Sequence, residues 1–163
     1  MSVAMKEAVT LIKHVLEDNG YKYKYNDEKY SFDLSFSLSK TKLSSIDIRI
    51  LVRPTSSDPN ACHRIMSYGT IDMHADADCM VQVCEFLARA NYGLSLGNFE
   101  LDHSDGEIRY KVSMNCKDSL PGYDAIDDLL GLPVAMFNRY GNGLLTVIMG
   151  VAAAKEAIDK IEG

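Results

Sequence analysis

Positive charge is scarce in this chain. Its 163 residues include 17 Lys and Arg against 23 Asp and Glu, which gives a formal net charge of −6 and a pI near 5.1. Nucleic acids and anionic membranes are bound through concentrated Lys and Arg side chains. We therefore expect neither nucleic acid nor a membrane surface as a partner.

Long apolar runs and an export signal are also missing. The longest apolar stretch, Leu144 to Ala154, is far shorter than the roughly 20 residues that a membrane-spanning helix needs. The first residues, Met1 to Lys6, lack the apolar core of a secretion signal and are predicted to begin a helix. A composition of 47% hydrophobic and 25% charged residues is ordinary for a globular protein. These features predict one cytoplasmic domain over residues 1–163.

Cysteine pairs with the spacing of a redox or metal motif are absent. Cys62, Cys79, Cys84 and Cys116 form no C-x-x-C pair, and without an export signal they are expected to be reduced and mostly buried. Cys79 and Cys84 point to different sides of a predicted helix, and Cys84 fits its apolar face. We therefore expect Cys84 to be a core residue and not part of a redox switch.

The clearest feature that is present is a β-hairpin between Asn91 and Asn115. Phe99 to Leu101 and Ile108 to Met114 alternate apolar and polar residues, which is the period of a strand with one buried face. Between them, Asp105-Gly106 supplies the positive φ that a tight turn needs. The predicted buried face is Phe99, Leu101, Ile108, Tyr110, Val112 and Met114. None of these side chains has an obvious chemical role, so the hairpin indicates a scaffold.

Other segments of the chain show equally regular periods. Helical spacing of apolar residues predicts helices over 3–18, 76–92 and 144–161, with a further helical region that begins after Pro121-Gly122. Pro133 and Gly141 to Gly143 are expected to interrupt that region. Alternation predicts strands over 21–25, 30–38 and 46–52, and a short strand over 67–73 is possible. The apolar face of the middle helix is predicted to be Ala77, Met80, Val81, Cys84, Leu87, Ala88 and Asn91.

This order, α-β-β-β-(β)-α-β-β-α, predicts an α+β fold. Polar residues alternate along every strand, which is typical of an antiparallel sheet with one face in water. The fold is therefore expected to be an antiparallel sheet of five to six strands with helices packed on one face.

Several residue groups contain the elements of a catalytic or ligand site. Asp102-His103-Ser104-Asp105 has the residue types of a hydrolase triad, but adjacent residues on a turn cannot adopt that geometry. A metal site would draw on His74, Asp76, Asp78 and Cys79, with Cys62-His63 as the second pair, although acidic residues at a helix start explain the same pattern. Gly93 to Gly97 precedes a strand, so it does not form a phosphate-binding loop.

The aromatic and sulfur-containing side chains allow two interpretations. Tyr21, Tyr23 and Tyr25 alternate with Lys22 and Lys24, as on an RNA-binding strand, but such tyrosines more often form half of a core. Seven methionines either fill the core or line a groove for a partner segment: Met5, Met66, Met73, Met80, Met114, Met136 and Met149.

The hairpin region resembles the YbjN family of bacterial sensory transduction regulators. The resemblance rests on Asn91-Tyr92-Gly93, on Gly97 to Asp102 (GNFELD) and on Asp105 to Lys111 (DGEIRYK). It continues through Asn138-Arg139-Tyr140 and Leu145 to Gly150. The shared residues are structural in character and give no catalytic, cofactor-binding, metal-binding or partner-binding residue: Asn91, Gly93, Gly97, Phe99, Asp105, Gly106 and Tyr110.

Members of that family share a fold with type III secretion chaperones. The resemblance implies the chaperone-like α+β fold, a homodimer, and a non-enzymatic regulator, chaperone or adaptor without a cofactor that captures a segment of an unidentified partner protein. The alternative is a small-ligand sensor with a pocket between the sheet and the C-terminal helices, lined by methionines and tyrosines.

Overall fold

The computed structural model describes residues 3–163 and contains one open sheet with helices on one face. The prediction for Met1 and Ser2 lies outside the described residues. The helices are α1 (Met5–Asp18), α2 (Met80–Tyr92), α3 (Tyr123–Ile148) and α4 (Ala154–Glu162). The strands are β1 (Lys24–Asn26), β2 (Ser31–Ser37), β3 (Ser45–Pro54), β4 (Cys62–His74), β5 (Asn98–Leu101) and β6 (Glu107–Asn115).

The sheet has six strands in the order β1-β2-β3-β4-β6-β5, and every neighbouring pair is antiparallel. One row of paired residues crosses its core side: Leu34, Ile48, Gly69, Tyr110 and Phe99. All of these except Gly69 are large and apolar, and the gap that Gly69 leaves is filled by α3. The predicted α+β class and antiparallel sheet are confirmed.

Helix α3 packs across the middle of the sheet without a break at Pro133. Proline has no backbone N–H, so the carbonyl of Leu129 loses its helical donor. The hydroxyl of Ser67, a fully buried residue of β4, donates to that carbonyl at 2.6 Å. Two residues along the strand, a side chain at Gly69 would come within 2.6 Å of the Pro133 ring. The predicted interruption at Pro133 is wrong because β4 satisfies the carbonyl and leaves room for the ring.

Gly141 and Gly143 of α3 are contact points and do not end the helix. A Cβ on Gly141 would lie 2.7 Å from Thr41 Oγ1, and one on Gly143 would lie 2.5 Å from the Ile161 side chain. The expected interruption at Gly141 to Gly143 is therefore wrong. The helix predicted over 144–161 is instead divided by a turn at 149–153, where Gly150 has a φ of +67°.

Helix α2 begins later and buries a different face than its pattern predicts. Residues 77–79 form a turn, and the helix starts at Met80. Its buried residues are Val83, Phe86, Leu87 and Ala90. Val81 and Ala88 of the predicted face are exposed, and Cys84 is partly exposed, so the predicted core position of Cys84 is wrong. Two apolar stripes run along this helix, and the sequence cannot tell which one meets the sheet.

Two strands differ in length from the prediction: β4 is longer and β1 is shorter. The uncertain strand over 67–73 is the central part of β4, which runs from Cys62 to His74. Tyr21 and Tyr23 lie before β1, which has only 3 residues. Within residues 3–163, no helix combines the length and apolar character needed to cross a membrane.

Candidate partner-binding surfaces

An apolar pocket lies between the start of the sheet and α3. We call it the α3 pocket; it has a volume of about 500 Å³ and is lined by Tyr21, Phe36, Lys40, Leu130, Gly131, Val134, Ala135, Asn138 and Arg139. The rings of Tyr21 and Phe36 form one wall and meet edge to face at 5.3 Å. No atom lies within 4 Å of the position a Cβ would take on Gly131, so the opposite wall is open there.

The charged residues that line the α3 pocket, Lys40 and Arg139, are both cations. The loop that carries Lys40 is fixed to α3, because its backbone N–H donates to Asn138 Oδ1 at 2.9 Å. One helical turn further, Asn142 Oδ1 accepts the backbone N–H of Lys42 at 2.8 Å. In a chain of net charge −6, an apolar pocket with a cationic rim is suited to a ligand that joins an apolar group to a carboxylate.

The outer face of the sheet forms a larger concavity of about 940 Å³. Its lining carries both signs of charge, and some of these charges are paired within the chain: Arg49 Nε lies 2.6 Å from Asp33 Oδ1, and Arg109 lies 2.7 Å from Glu100. Lys111 also pairs with Glu100, and these two cations hold the pKa of that carboxyl below its usual range against the opposing effect of burial. This face presents cross-strand ion pairs and no single sign of charge.

The outward side of α2 is a second apolar surface. Val81 is 75% exposed and Tyr92 is 96% exposed, and Cys84 and Ala88 occupy the positions between them at helical spacing. Gln82 Oε1 accepts the backbone N–H of Ala154, so the start of α2 lies beside the turn between α3 and α4. That turn carries Met149, 67% exposed, and Val151, 71% exposed. We call Val81, Cys84, Ala88, Tyr92, Met149 and Val151 the α2 surface.

The residues shared with the family hold the hairpin in place. Asn91 bonds the backbone of Phe99 twice: Phe99 N–H donates to Oδ1 at 2.7 Å, and Nδ2 donates to the carbonyl at 3.0 Å. Phe99 lies in edge strand β5, so this side chain occupies edge groups that would otherwise be open to another strand. The Phe99 ring packs edge to face against Tyr110 and Tyr140, with centroids 4.9 and 5.7 Å away.

The glycines of the same motif have different roles. Gly97 has a φ of +77°, and a Cβ there would lie 2.6 Å from the Tyr110 ring, whose hydroxyl donates to the Leu96 carbonyl at 2.5 Å. Gly106 has a φ of +78°, and Asp105 Oδ1 accepts the N–H that follows it, from Glu107. Gly93 follows the last residue of α2 in an ordinary conformation, with a φ of −99°.

The triad-like residues lie on the turn between β5 and β6. Asp102 Oδ1 accepts hydrogen bonds from the N–H and the hydroxyl of Ser104, and these bonds lower the pKa of Asp102. His103 faces a different element, with Nε2 3.4 Å from Cys84 Sγ. Asp102 and Ser104 therefore form a hydrogen-bonded turn, as the sequence predicts.

The candidate metal ligands are bonded to the backbone. His74 Nδ1 lies 2.9 Å from the Asp105 carbonyl. Asp76 Oδ1 accepts the N–H groups of Asp78 and Cys79 in the turn that precedes α2, and these bonds lower the pKa of Asp76. Across residues 3–163, no group of three or more His, Cys, Asp and Glu side chains has the arrangement of a metal site.

The tyrosines and methionines are mostly half-buried. Tyr21 packs on Phe36, and Tyr23 and Tyr25 pack on Phe32 at 5.6 and 4.7 Å, so all three contribute to the core. Met5 is buried, and five of the other singled-out methionines are half-buried: Met66, Met73, Met80, Met114 and Met136. Within the described residues, no methionine lines the α3 pocket, contrary to the predicted pocket of methionines and tyrosines.

Sequence reasoning missed the exposure of the α2 surface and most of the lining of the α3 pocket, although its alternative function placed a pocket between the sheet and the C-terminal helices. The α3 pocket joins residues from the β1 region, the loop after β2 and α3, and no local pattern connects them. A signal for the α2 surface was present, since Val81, Cys84 and Ala88 belong to the stripe that the helical period identifies. That stripe was assigned to the core, and its exposure could be found only from the packing.

Residues 8–146 match the YbjN family, which is described as "Putative bacterial sensory transduction regulator". Among solved structures, the chain is similar to "YbjN, a putative transcription regulator from E. coli", with a TM-score of 0.56 and 11% identity over 87% of this chain and 89% of that chain. No curated protein gives a significant match to the sequence.

The chain is also similar to a chain in the crystal structure of the ExsC-ExsE complex. The TM-score is 0.54 with 12% identity, and the match covers 85% of this chain and 96% of that chain. At such identities, these likenesses show the fold alone, and the fold is the type III secretion chaperone-like α+β fold expected from the sequence.

Proposed function

Because this chain belongs to the YbjN family, we propose that it is a non-enzymatic regulator, chaperone or adaptor that captures a segment of a partner protein. Two lines of support are the family description and the fold that the chain shares with a protein solved in a complex, ExsC-ExsE. A further support is that three of the candidate catalytic and metal-binding side chains, Asp102, Asp76 and His74, are hydrogen-bonded to backbone groups.

The capture site that we propose is the α3 pocket. Its apolar walls and the cations Lys40 and Arg139 suit a partner segment that presents an aliphatic or aromatic side chain next to an Asp or Glu. This combination of apolar walls and like charges is the observation that carries the proposal. The outer sheet face is a poorer candidate, because its lining mixes cations with carboxylates and two of its cations, Arg49 and Arg109, already have anionic partners.

Ala135→Asp tests the capture site. Ala135 is exposed and lines the pocket, so the change places a negative charge beside the expected carboxylate with little effect on packing. The tagged chain is used to capture proteins from its own cell lysate, and bound proteins are identified by mass spectrometry. We expect one or two reproducible partners with the natural chain, and a loss of at least tenfold in their yield with Ala135→Asp.

Ala77→Asp is the matched control, because Ala77 is an exposed alanine that belongs to neither the α3 pocket nor the α2 surface. It is expected to retain the captured partners. Equal yields with both variants would contradict the pocket as the capture site, and a natural chain that captures nothing but itself would contradict the protein-binding module.

We also propose that the chain is a homodimer formed through the α2 surface. Val81 at the start of α2, Met149 and Val151 in the adjoining turn, and Tyr92 at the end of α2 are exposed, and two copies related by a twofold axis would cover them. Small Ala88, between Val81 and Tyr92, would allow two α2 helices to approach closely.

A small-ligand sensor is the second candidate function. The α3 pocket has the volume of a ligand site, at about 500 Å³, and its cations would hold an apolar carboxylate. Aromatic and medium-chain aliphatic carboxylic acids would then raise the melting temperature of the natural chain and not that of Ala135→Asp. If the affinity capture recovers no partner protein and the melting temperature rises in this way, the sensor is favoured over the adaptor.

A further inference from the structure

Two cysteines that are distant in the sequence meet at one end of the sheet. Cys62 begins β4, and Cys116 directly follows β6. The backbone N–H of Cys116 donates to the carbonyl of His63 at 2.8 Å, which continues the pairing of the two strands. Both cysteines are 0% exposed.

A bulge in β4 brings the two side chains to the same side of the sheet. The pairing of β3 with β4 runs Arg53 to Arg64 and then Pro54 to Cys62, so His63 is an extra residue. Without it, Cys62 would share the exposed outer face with Arg64, because alternate residues of a strand point the same way. With it, Cys62 faces the core, where Cys116 also points.

The side chains of Cys62 and Cys116 are therefore buried neighbours, on the same side of the sheet where β4 begins and β6 has just ended. The hydrogen bond from Cys62 lowers the pKa of the Cys116 thiol to about 7, and the same contact raises the pKa of Cys62. A thiolate is the form of cysteine that attacks a disulfide, so Cys116 is the nucleophile of the pair and Cys62 lies in place to resolve the product.

We propose that Cys62 and Cys116 are an oxidation site that forms a reversible disulfide with a low-molecular-weight disulfide as the oxidant. The Cys116 thiolate attacks one sulfur of the oxidant, the oxidant's S–S bond breaks, and one small thiol leaves. Cys62 then gives its proton to the departing second thiolate as its sulfur attacks Cys116 Sγ. The two cysteines together lose two protons and two electrons, and the oxidant takes up both to become two thiols.

The N-terminal residues cover this site. Cys62 N–H donates to the Val3 carbonyl at 2.7 Å, Ala4 pairs with Ala61, and Met5 N–H donates to the Asn60 carbonyl at 2.8 Å. Few backbone hydrogen bonds join residues 3–5 to residues 60–62, so local opening of this contact admits the oxidant while the sheet stays folded. The disulfide then links the start of β4 covalently to the end of β6, beneath residues 3–5.

Oxidised glutathione is the probe, added to the reduced full-length chain under native conditions. We expect the mass of the intact chain to fall by about 2 Da without a glutathione adduct on either cysteine. A digest under non-reducing conditions should contain one peptide pair joined through Cys62 and Cys116. Because the new bond closes a long loop, the melting temperature should rise by about 5 to 15 °C and return on reduction.

Cys84→Ser is the matched control, since it removes the partly exposed thiol and leaves the buried pair. It should form the disulfide at the same rate, and Cys62→Ser and Cys116→Ser should each abolish the mass loss. Free thiols at both positions, with glutathione attached to Cys84 alone, would overturn the proposal. A joined peptide that includes Cys79 or Cys84 in place of either member would do the same.

Discussion

At the scale of single residues, the contact of Ser67 with Leu129 explains how a proline is accommodated inside the longest helix. The buried hydroxyl replaces the backbone donor that Pro133 removes, and Gly69 leaves space for the ring. A helix residue and two strand residues therefore act together, although they are far apart in the chain.

Ser67→Ala is expected to destabilise the protein by about 1 to 3 kcal/mol, because it leaves the Leu129 carbonyl buried without a donor. In a Pro133→Ala background the same change should cost less, since residue 133 then has an N–H that can bond the carbonyl within the helix. Urea unfolding of the four chains of this double-mutant cycle measures the coupling. Equal costs in both backgrounds would show that Ser67 does not compensate for Pro133.

The two motif glycines at Gly93 and Gly106 make a second test. Gly106→Val should cost more than about 3 kcal/mol, because a β-branched residue resists a φ of +78° and its Cβ would clash with the Ala75 carbonyl oxygen. Gly93→Val should cost about 1 kcal/mol or less, since its φ is ordinary and nothing lies within 4 Å of the Cβ position. Chemical unfolding of both variants compares them, and equal losses would contradict a strained turn.

At the scale of secondary-structure elements, the sequence predicts the strands better than the helices. Alternation identifies β2, β3 and β6 and their buried faces, because a period of two assigns each residue to one face. The face of α2 was assigned wrongly, since both of its sides carry apolar residues. The continuity of α3 at Pro133 depends on a hydroxyl in β4, and no local pattern in the helix reports it.

The candidate sites were less predictable than the fold for the same physical reason. The α3 pocket and the Cys62–Cys116 pair each form where distant segments meet, and the cysteine pair also depends on a bulge at His63. The local periodicity of apolar residues contains no information about contacts between distant segments. The hairpin motif was visible in the sequence because its contacts, such as Asn91 with Phe99, are short in range.

The α2 surface makes a prediction at the level of one helix. Ala88→Asp should convert the dimer to a monomer with an unchanged circular dichroism spectrum, because two charges would face each other across the twofold axis. Sedimentation velocity measures the mass, and Ala135→Asp should remain dimeric. A dimer that persists in Ala88→Asp at micromolar concentration would place the interface elsewhere.

At the scale of the whole molecule, the dependence of stability on alkaline pH reports how the C-terminal helices close over the core. Tyr140 of α3 is buried, and its hydroxyl donates to Glu162 of α4 at 2.6 Å. Burial, followed by the hydrogen bond and charge of Glu162, raises the pKa of Tyr140 to about 12. The folded state therefore favours the neutral phenol more than the unfolded state does.

Since the pKa of Tyr140 is raised on folding, its contribution to stability is complete below about pH 10 and is lost as the pH rises toward 12. The free energy of unfolding of the natural chain should fall across that interval, and the fall should be smaller in Tyr140→Phe, which has no proton to lose. It should not vanish, because burial also raises the pKa of Tyr110. Urea unfolding at a series of pH values between 8 and 12 measures both slopes. If the free energy of unfolding falls with pH equally in the two chains, then packing of α4 against α3 does not raise the pKa of Tyr140.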